Sequence, residues 1–174
     1  MDPPLESTPL TVWRGPTRDT LAARISQFLL SDTNRELYYI DVTDSFPLQQ
    51  FQERAPLNSH RAVYDHIKII ACLELRELLQ SVLKITRASD QSTLVMINSI
   101  DTMFANAQYR DSQTCYDVLN EVLLELRWAS SPQFTTVLVF PRNREQQPLK
   151  RRKTAAESLD EFIGNYYAER SEQM

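Results

Sequence analysis

The stretch TLVMINSIDTMF, residues 93–104, sets the fold class of this chain. Its first half runs through Leu94, Val95, Met96 and Ile97 without a polar break and closes on Asn98. A strand with one wet face alternates apolar and polar residues, so an unbroken apolar run of this length fits a strand covered on both faces. Ser99 and a short helical segment follow. Four further stretches read as strands: LTVWR at 10–14, ELYYID at 36–41, HIKIIA at 66–71 and TTVLVF at 135–140. Helical periodicity lies between them. Leu21, Ile25, Phe28 and Leu29 share a face in 18–30, as do Leu75, Leu78, Leu79 and Val82 in 74–87. In 113–129 the face is Val118, Leu119, Val122, Leu123 and Leu126. Strands and helices in alternation predict an α/β fold with a mostly parallel sheet flanked by helices.

With 174 residues, 42% hydrophobic and 24% charged, the chain suffices for one domain with a substantial core. Pro3, Pro4 and Pro9 and the scarcity of apolar residues predict a disordered tail at 1–9 and a single domain over 10–174. Cys72 and Cys115 sit inside apolar segments and are expected in the core, with no disulfide framework. Trp13 and Trp128 are expected there too. No apolar run reaches the roughly 20 residues of a membrane span, and MDPPLESTP lacks a signal-peptide pattern, so a soluble intracellular protein is expected. His60 and His66 are too isolated from cysteines and carboxylates to suggest a metal site.

A last helix is expected at 156–169, where Leu159, Phe162, Ile163, Tyr166 and Tyr167 form one apolar stripe. The stripe suits docking onto the chain's own sheet or binding a partner through Leu159, Phe162 and Tyr166. Pro47 can open a short helix. Phe46 before it is either core or a partner anchor.

The order of these elements resembles the RecA-like recombinase core, a P-loop ATPase fold. In that family the first strand runs into GxxxxGK[ST], whose amides and lysine cradle the phosphates. The matching stretch here is WRGPTRDTLAARI, where Asp19 and Thr20 stand near the second glycine and the lysine. Gly15 and Gly164 are the only glycines of the chain, which excludes a glycine-rich phosphate loop. In YYIDVTDSF the position of the water-activating glutamate falls on Thr43, and in LVMINSIDTMF the magnesium-associated aspartate falls on Asn98. Phosphoryl transfer depends on positioning and charge stabilisation by those groups. The resemblance therefore implies a degenerate ATPase fold with no catalytic residue, no metal and no cofactor.

TVWRGPT, YYIDVTDSFPLQQFQ, INSIDTMFANAQY and SLDEFIGNYYA, in this order, resemble the chromosome-segregation-in-meiosis subunits of the fungal Shu complex, a recombinase paralog family without the ATPase motifs. The resemblance implies a non-catalytic, nuclear subunit that pairs with a second recombinase-like subunit, joins two further subunits, and works with the recombinase and its paralogs. It implies binding to single-stranded or forked DNA and assistance to filament assembly in error-free repair and meiosis, with no membrane involved. A scaffold without DNA contact and a residual nucleotide-binding subunit are the alternatives.

The formal charge is −4, yet the segment RNREQQPLKRRK at 142–153 carries +5 and the rest −9. Arg142, Arg144, Lys150, Arg151, Arg152 and Lys153 are the candidate DNA contacts, in a basic loop at 141–155 after the last core strand. Recombinases carry a mobile DNA-binding loop at that place. KRRK also satisfies a nuclear-import signal, and both uses draw on the same charge. No aromatic residue interrupts the cations, so phosphate contact without sequence preference is expected. A second loop toward DNA is read at Asn106, Gln108, Tyr109 and Arg110, where Arg110 beside Asp111 also reads as a surface ion pair.

Overall fold

The computed structural model describes residues 10–108, 111–141, 155–168 and 170–173. Six strands form its sheet: β1 (Leu10–Arg14), β2 (Arg35–Asp41), β3 (Ile67–Ala71), β4 (Ser92–Asn98), β5 (Phe134–Phe140) and β6 (Arg170–Gln173). Their order across the sheet is β3-β2-β4-β5-β1-β6, and every pair of neighbouring strands is parallel. Seven helices connect them: α1 (Arg18–Leu30), α2 (Leu48–Arg54), α3 (Leu57–Tyr64), α4 (Leu75–Ala88), α5 (Ile100–Gln108), α6 (Ser112–Ala129) and α7 (Ala155–Tyr166). This is the α/β arrangement, a mostly parallel sheet flanked by helices, that the alternation of strands and helices predicts.

The period of two along each strand divides the core into two layers. Leu37 and Tyr39, Leu94 and Met96, Val137 and Val139, with Trp13, face α1 and α2. Tyr38 and Ile40, Val95 and Ile97, Leu138 and Phe140, with Val12, face α4, α5, α6 and α7. The central strands β4 and β5 are buried along almost their whole length, which is why their sequences do not alternate. Each fully buried aliphatic or aromatic side chain contributes about 1.5–3 kcal/mol relative to exposure. Cys72 and Cys115 are free and buried, as their apolar settings predict.

Several expectations need correction. Trp13 is 1% exposed, but Trp128 is 79% exposed. Trp128 lies two residues after buried Leu126, about 200° further round α6, and so points away from the sheet. Phe46 is buried, the core one of its two readings: its ring meets Tyr39 edge-on at 5.2 Å and Phe51 at 6.0 Å. Leu159 is buried as well, with Ile163 one turn on. The stripe of α7 thus docks on its own domain. Phe162 is half-buried among Tyr116, Tyr166 and Tyr167, and Tyr166 remains exposed.

Helix α7 ends at Tyr166, and β6 follows it along β1. Asn106 and Gln108 belong to α5, not to a loop; Asn106 Nδ2 donates to the Leu73 carbonyl at 2.9 Å. Pro47 is the N-cap of α2 and stands just outside the helix. No helix among the described residues is long and apolar enough to cross a membrane.

Candidate functional site

The carboxyl ends of parallel strands are where an open α/β sheet binds ligands, because the following helices present their N-termini there. Four elements meet at this edge: the turn after β1, the loop after β2, the end of β4 and the end of β5.

Gly15 follows β1 with φ 65°, a left-handed conformation that glycine adopts without a Cβ clash. Its N–H donates to the Phe140 carbonyl at 2.8 Å, which seals the turn against β5. Only Gly15, Pro16 and Thr17 separate β1 from α1, so the backbone is too short to curl round a triphosphate. The helix start is also occupied by its own side chains. Thr17 caps α1 by accepting the Thr20 N–H at 3.1 Å, and the Thr17 and Thr20 hydroxyls are 2.8 Å apart. Asp19 adds a negative charge to the first turn and pairs with Arg54 of α2 at 2.9 Å. The carboxylate complements the helix dipole that a phosphate would otherwise use.

Beyond β2, Thr43 and Asp44 are exposed. Ser45 turns back onto the strand end: its N–H donates to Asp41 Oδ2 at 2.9 Å and its hydroxyl donates to the same oxygen. Asn98 reaches this cluster from β4. Its Nδ2 donates to Ser45 Oγ at 2.7 Å and to Tyr39 Oη at 3.3 Å, while Tyr39 Oη lies 3.3 Å from Ser45 Oγ. Tyr39 is fully buried, and burial first of all pushes its phenol above the ordinary value, keeping it a donor. Protons thus run from Asn98 and Tyr39 to Ser45, and from Ser45 to Asp41. An aspartate at position 98 would face two oxygens with no hydrogen to offer and place a second carboxylate beside the first. The amide is what this buried network requires.

Ser99, next in the chain, has φ 65°, uncommon for a residue with a Cβ. Its N–H donates to the Val139 carbonyl at 3.0 Å, and its own carbonyl accepts from Thr102 and Met103 at 3.0 and 3.2 Å. The bend turns β4 sharply into α5 and keeps Asn98 over the end of β2.

The residues at this edge do not fit a magnesium–nucleotide complex. Asp19, Thr20, Thr43 and Asn98 lie at this edge: Asp19, Thr20 and Asn98 bond to other side chains, and Thr43 is exposed. Arg14 and Arg18, which the sequence reading passes over, flank Gly15 at the same edge, and their place in WRGPTR was the available signal. Gly164 of α7 lies under Arg14: a Cβ there would come within 3.1 Å of Arg14 Nη2. Pro141, the first residue after β5, is exposed. The candidate DNA contacts Arg142, Arg144, Lys150, Arg151, Arg152 and Lys153 lie outside the described residues, as do Tyr109, Arg110 and the 1–9 tail. The described chain resumes at Ala155, the start of α7.

Comparison with known proteins bears on both fold and family. A family model described as "Shu complex component Csm2, DNA-binding" matches residues 10–90 and 84–168. A Saccharomyces cerevisiae protein named Chromosome segregation in meiosis protein 2 is 29% identical over 201 residues, covering 92% of this chain and 94% of its own. The Candida glabrata protein of the same name is 30% identical over 200 residues, covering 92% and 93%. Among solved structures, the RadB recombinase superposes with a TM-score of 0.54 at 18% identity, covering 75% of this chain and 60% of that one, a likeness of fold alone.

Proposed function

The chain belongs to the Csm2 family of Shu complex components, and from that premise we propose that it is a non-catalytic, DNA-binding subunit of a nuclear recombination mediator. In this reading it pairs with a second recombinase-like subunit, and the complex promotes assembly of recombinase filaments on single-stranded DNA during error-free repair and meiosis. The observation that carries it is the concentration of +5 charge in residues 142–153, between a core strand that ends at the carboxyl edge and helix α7, in a chain that is otherwise at −9. Arg14 and Arg18 add cations at that edge. In this reading the chain is non-catalytic, and the pairing of several polar groups at the edge supports that: Asp19 with Arg54, Thr17 with Thr20, and Asn98 with Ser45 and Tyr39.

Cations that contact phosphate release counterions, so affinity falls with salt in proportion to their number. Replacing Lys150, Arg151, Arg152 and Lys153 with alanine is expected to flatten the salt slope on single-stranded DNA by about 2.8, at roughly 0.7 per contact. Affinity for unrelated oligonucleotides should fall equally, because phosphate contacts carry no sequence information. The measurement is a binding titration of the assembled complex across a salt series. An unchanged slope assigns DNA contact to another subunit and leaves this chain a scaffold.

A further inference from the structure

Helix α6 has a second apolar surface that neither core layer uses. Glu121, Leu124, Glu125 and Trp128 are spaced i, i+3, i+4 and i+7 and share its outward face. Leu124 is 41% exposed and Trp128 79%, while Leu119, Val122, Leu123 and Leu126 of the same helix are buried on the opposite side. At the same end of the domain, Arg127 Nη1 donates to the Tyr166 carbonyl at 3.4 Å, which brings the end of α7 beside the last turn of α6. Tyr166 is 67% exposed there. The fold leaves an unusually exposed tryptophan, a leucine one turn before it and a tyrosine on the neighbouring helix unpacked, the kind of aromatic anchors that dominate protein interfaces.

The charges around this face select its occupant. Asp117, Glu121 and Glu125 lie along α6, and Arg127 is turned toward Tyr166. Acids repel phosphate, so nucleic acid is excluded. A second copy of the face would set these acids against themselves. The chain's own basic segment has only Leu149 and Pro148 to offer an exposed tryptophan. We propose that the outward face of α6, centred on Leu124 and Trp128, docks into another protein subunit of the complex, in an apolar cleft rimmed by lysine and arginine. The i, i+4 pair forms the ridge that enters the cleft, and Glu121 and Glu125 meet its rim. This proposal rests on the chain's place in a multisubunit complex and not on DNA binding.

The test labels this chain alone with 5-fluorotryptophan and assembles it with unlabelled partner subunits in the absence of DNA. The chain has two tryptophans, so two fluorine resonances are expected, assigned with Trp128→Phe. On assembly the Trp128 resonance should shift and lose its solvent-isotope response, while that of Trp13 stays in place. The double variant Leu124→Ala/Trp128→Ala should weaken assembly at least tenfold. Glu121→Lys/Glu125→Lys should weaken it severalfold at low salt and progressively less at high salt. Circular dichroism and melting of the free chain should match the parent in both cases. A Trp128 resonance that stays solvent-exposed in the assembled complex overturns the proposal, as do variants that assemble like the parent. An unchanged salt slope in the DNA titration of the alanine variant at 150–153, with normal Trp128 burial, would overturn the DNA reading alone and leave this proposal standing.

Discussion

The Asn98 amide donates to Ser45 Oγ over 2.7 Å, across 53 residues of sequence, and ties the end of β4 to the loop after β2. The chain of bonds ends in a carboxylate, because the Ser45 hydroxyl in turn donates a hydrogen bond to Asp41, which is 3% exposed. Asn98→Asp removes two donors and buries a second anion, and is expected to destabilise the fold by about 3 kcal/mol near neutral pH. The neighbouring carboxylate and burial both raise the pKa of the new acid in the folded state. The folded variant then binds a proton more readily than the unfolded chain, so its deficit should shrink as pH falls toward the carboxylate range. Denaturant melts of both forms at pH 7 and near pH 5 check this, and magnesium should not rescue the variant.

The two tryptophans should behave as opposites. Trp13→Ala opens a cavity in a residue that is 1% exposed and is expected to cost about 3–5 kcal/mol. Trp128→Ala, at 79% exposure, should stay within about 0.5 kcal/mol of the parent. Urea titrations of the isolated chain measure both, and a large loss from Trp128→Ala would mean that its ring packs on the domain.

Asp19 and Arg54 form an exposed pair, with side chains 68% and 39% accessible, so Arg54→Ala should cost less than about 1 kcal/mol. Asp19→Lys restores a cation to the first turn of α1 but leaves the three-residue turn and the Thr17 cap in place. Nucleotide is expected to leave its melting temperature unchanged. A ligand at 100 times its dissociation constant stabilises by about 2.7 kcal/mol, a shift that a thermal scan with magnesium and ATP would register.

Lys68 of edge strand β3 bonds Glu36 and donates to Tyr38 Oη at 3.1 Å; the Glu36 contact comes first in raising its pKa above the ordinary lysine value. The stabilisation is present in full below the ordinary lysine range and is lost as pH rises through the raised folded value. Because Lys68 is half exposed, it amounts to less than about 1 kcal/mol. Glu36→Gln should therefore destabilise slightly at pH 7, with the difference from the parent disappearing in strongly alkaline buffer.

Burial pushes the Cys72 thiol above its ordinary pKa, with Ser81 Oγ 3.6 Å from the sulfur. Cys72 is expected to react with Ellman's reagent only as fast as the chain opens. Labelling of a Cys115→Ser variant should be slow in native buffer and rapid in denaturant.

The legible parts of the sequence were those that bury side chains on both faces. LVMI in β4 and TVLV in β5 read as strands covered on both faces, and their ends fell within a residue of the structure. Strand β6, with the sequence RSEQ, offers no apolar run; it pairs through its backbone with β1 and leaves no mark in the side-chain pattern. Trp128 was misread for a related reason. Hydrophobicity says that an aromatic ring prefers burial, but the direction of the local backbone says whether a core lies where the ring points.

By itself the sequence determined the layer architecture, through period-two and period-3.6 patterns, and the loss of the phosphate loop, through the absence of a second glycine and a lysine after β1. It also located the basic segment, since charge is read directly from residue type. Only the tertiary structure decided why Asn98 stands where it does and which aromatic rings remain outside. Both depend on contacts between residues far apart in the chain: Tyr39, Ser45 and Asn98 meet because β2 and β4 are neighbours in the sheet, while Trp128 stays exposed because α6 turns it away from the core layer that Leu126 joins.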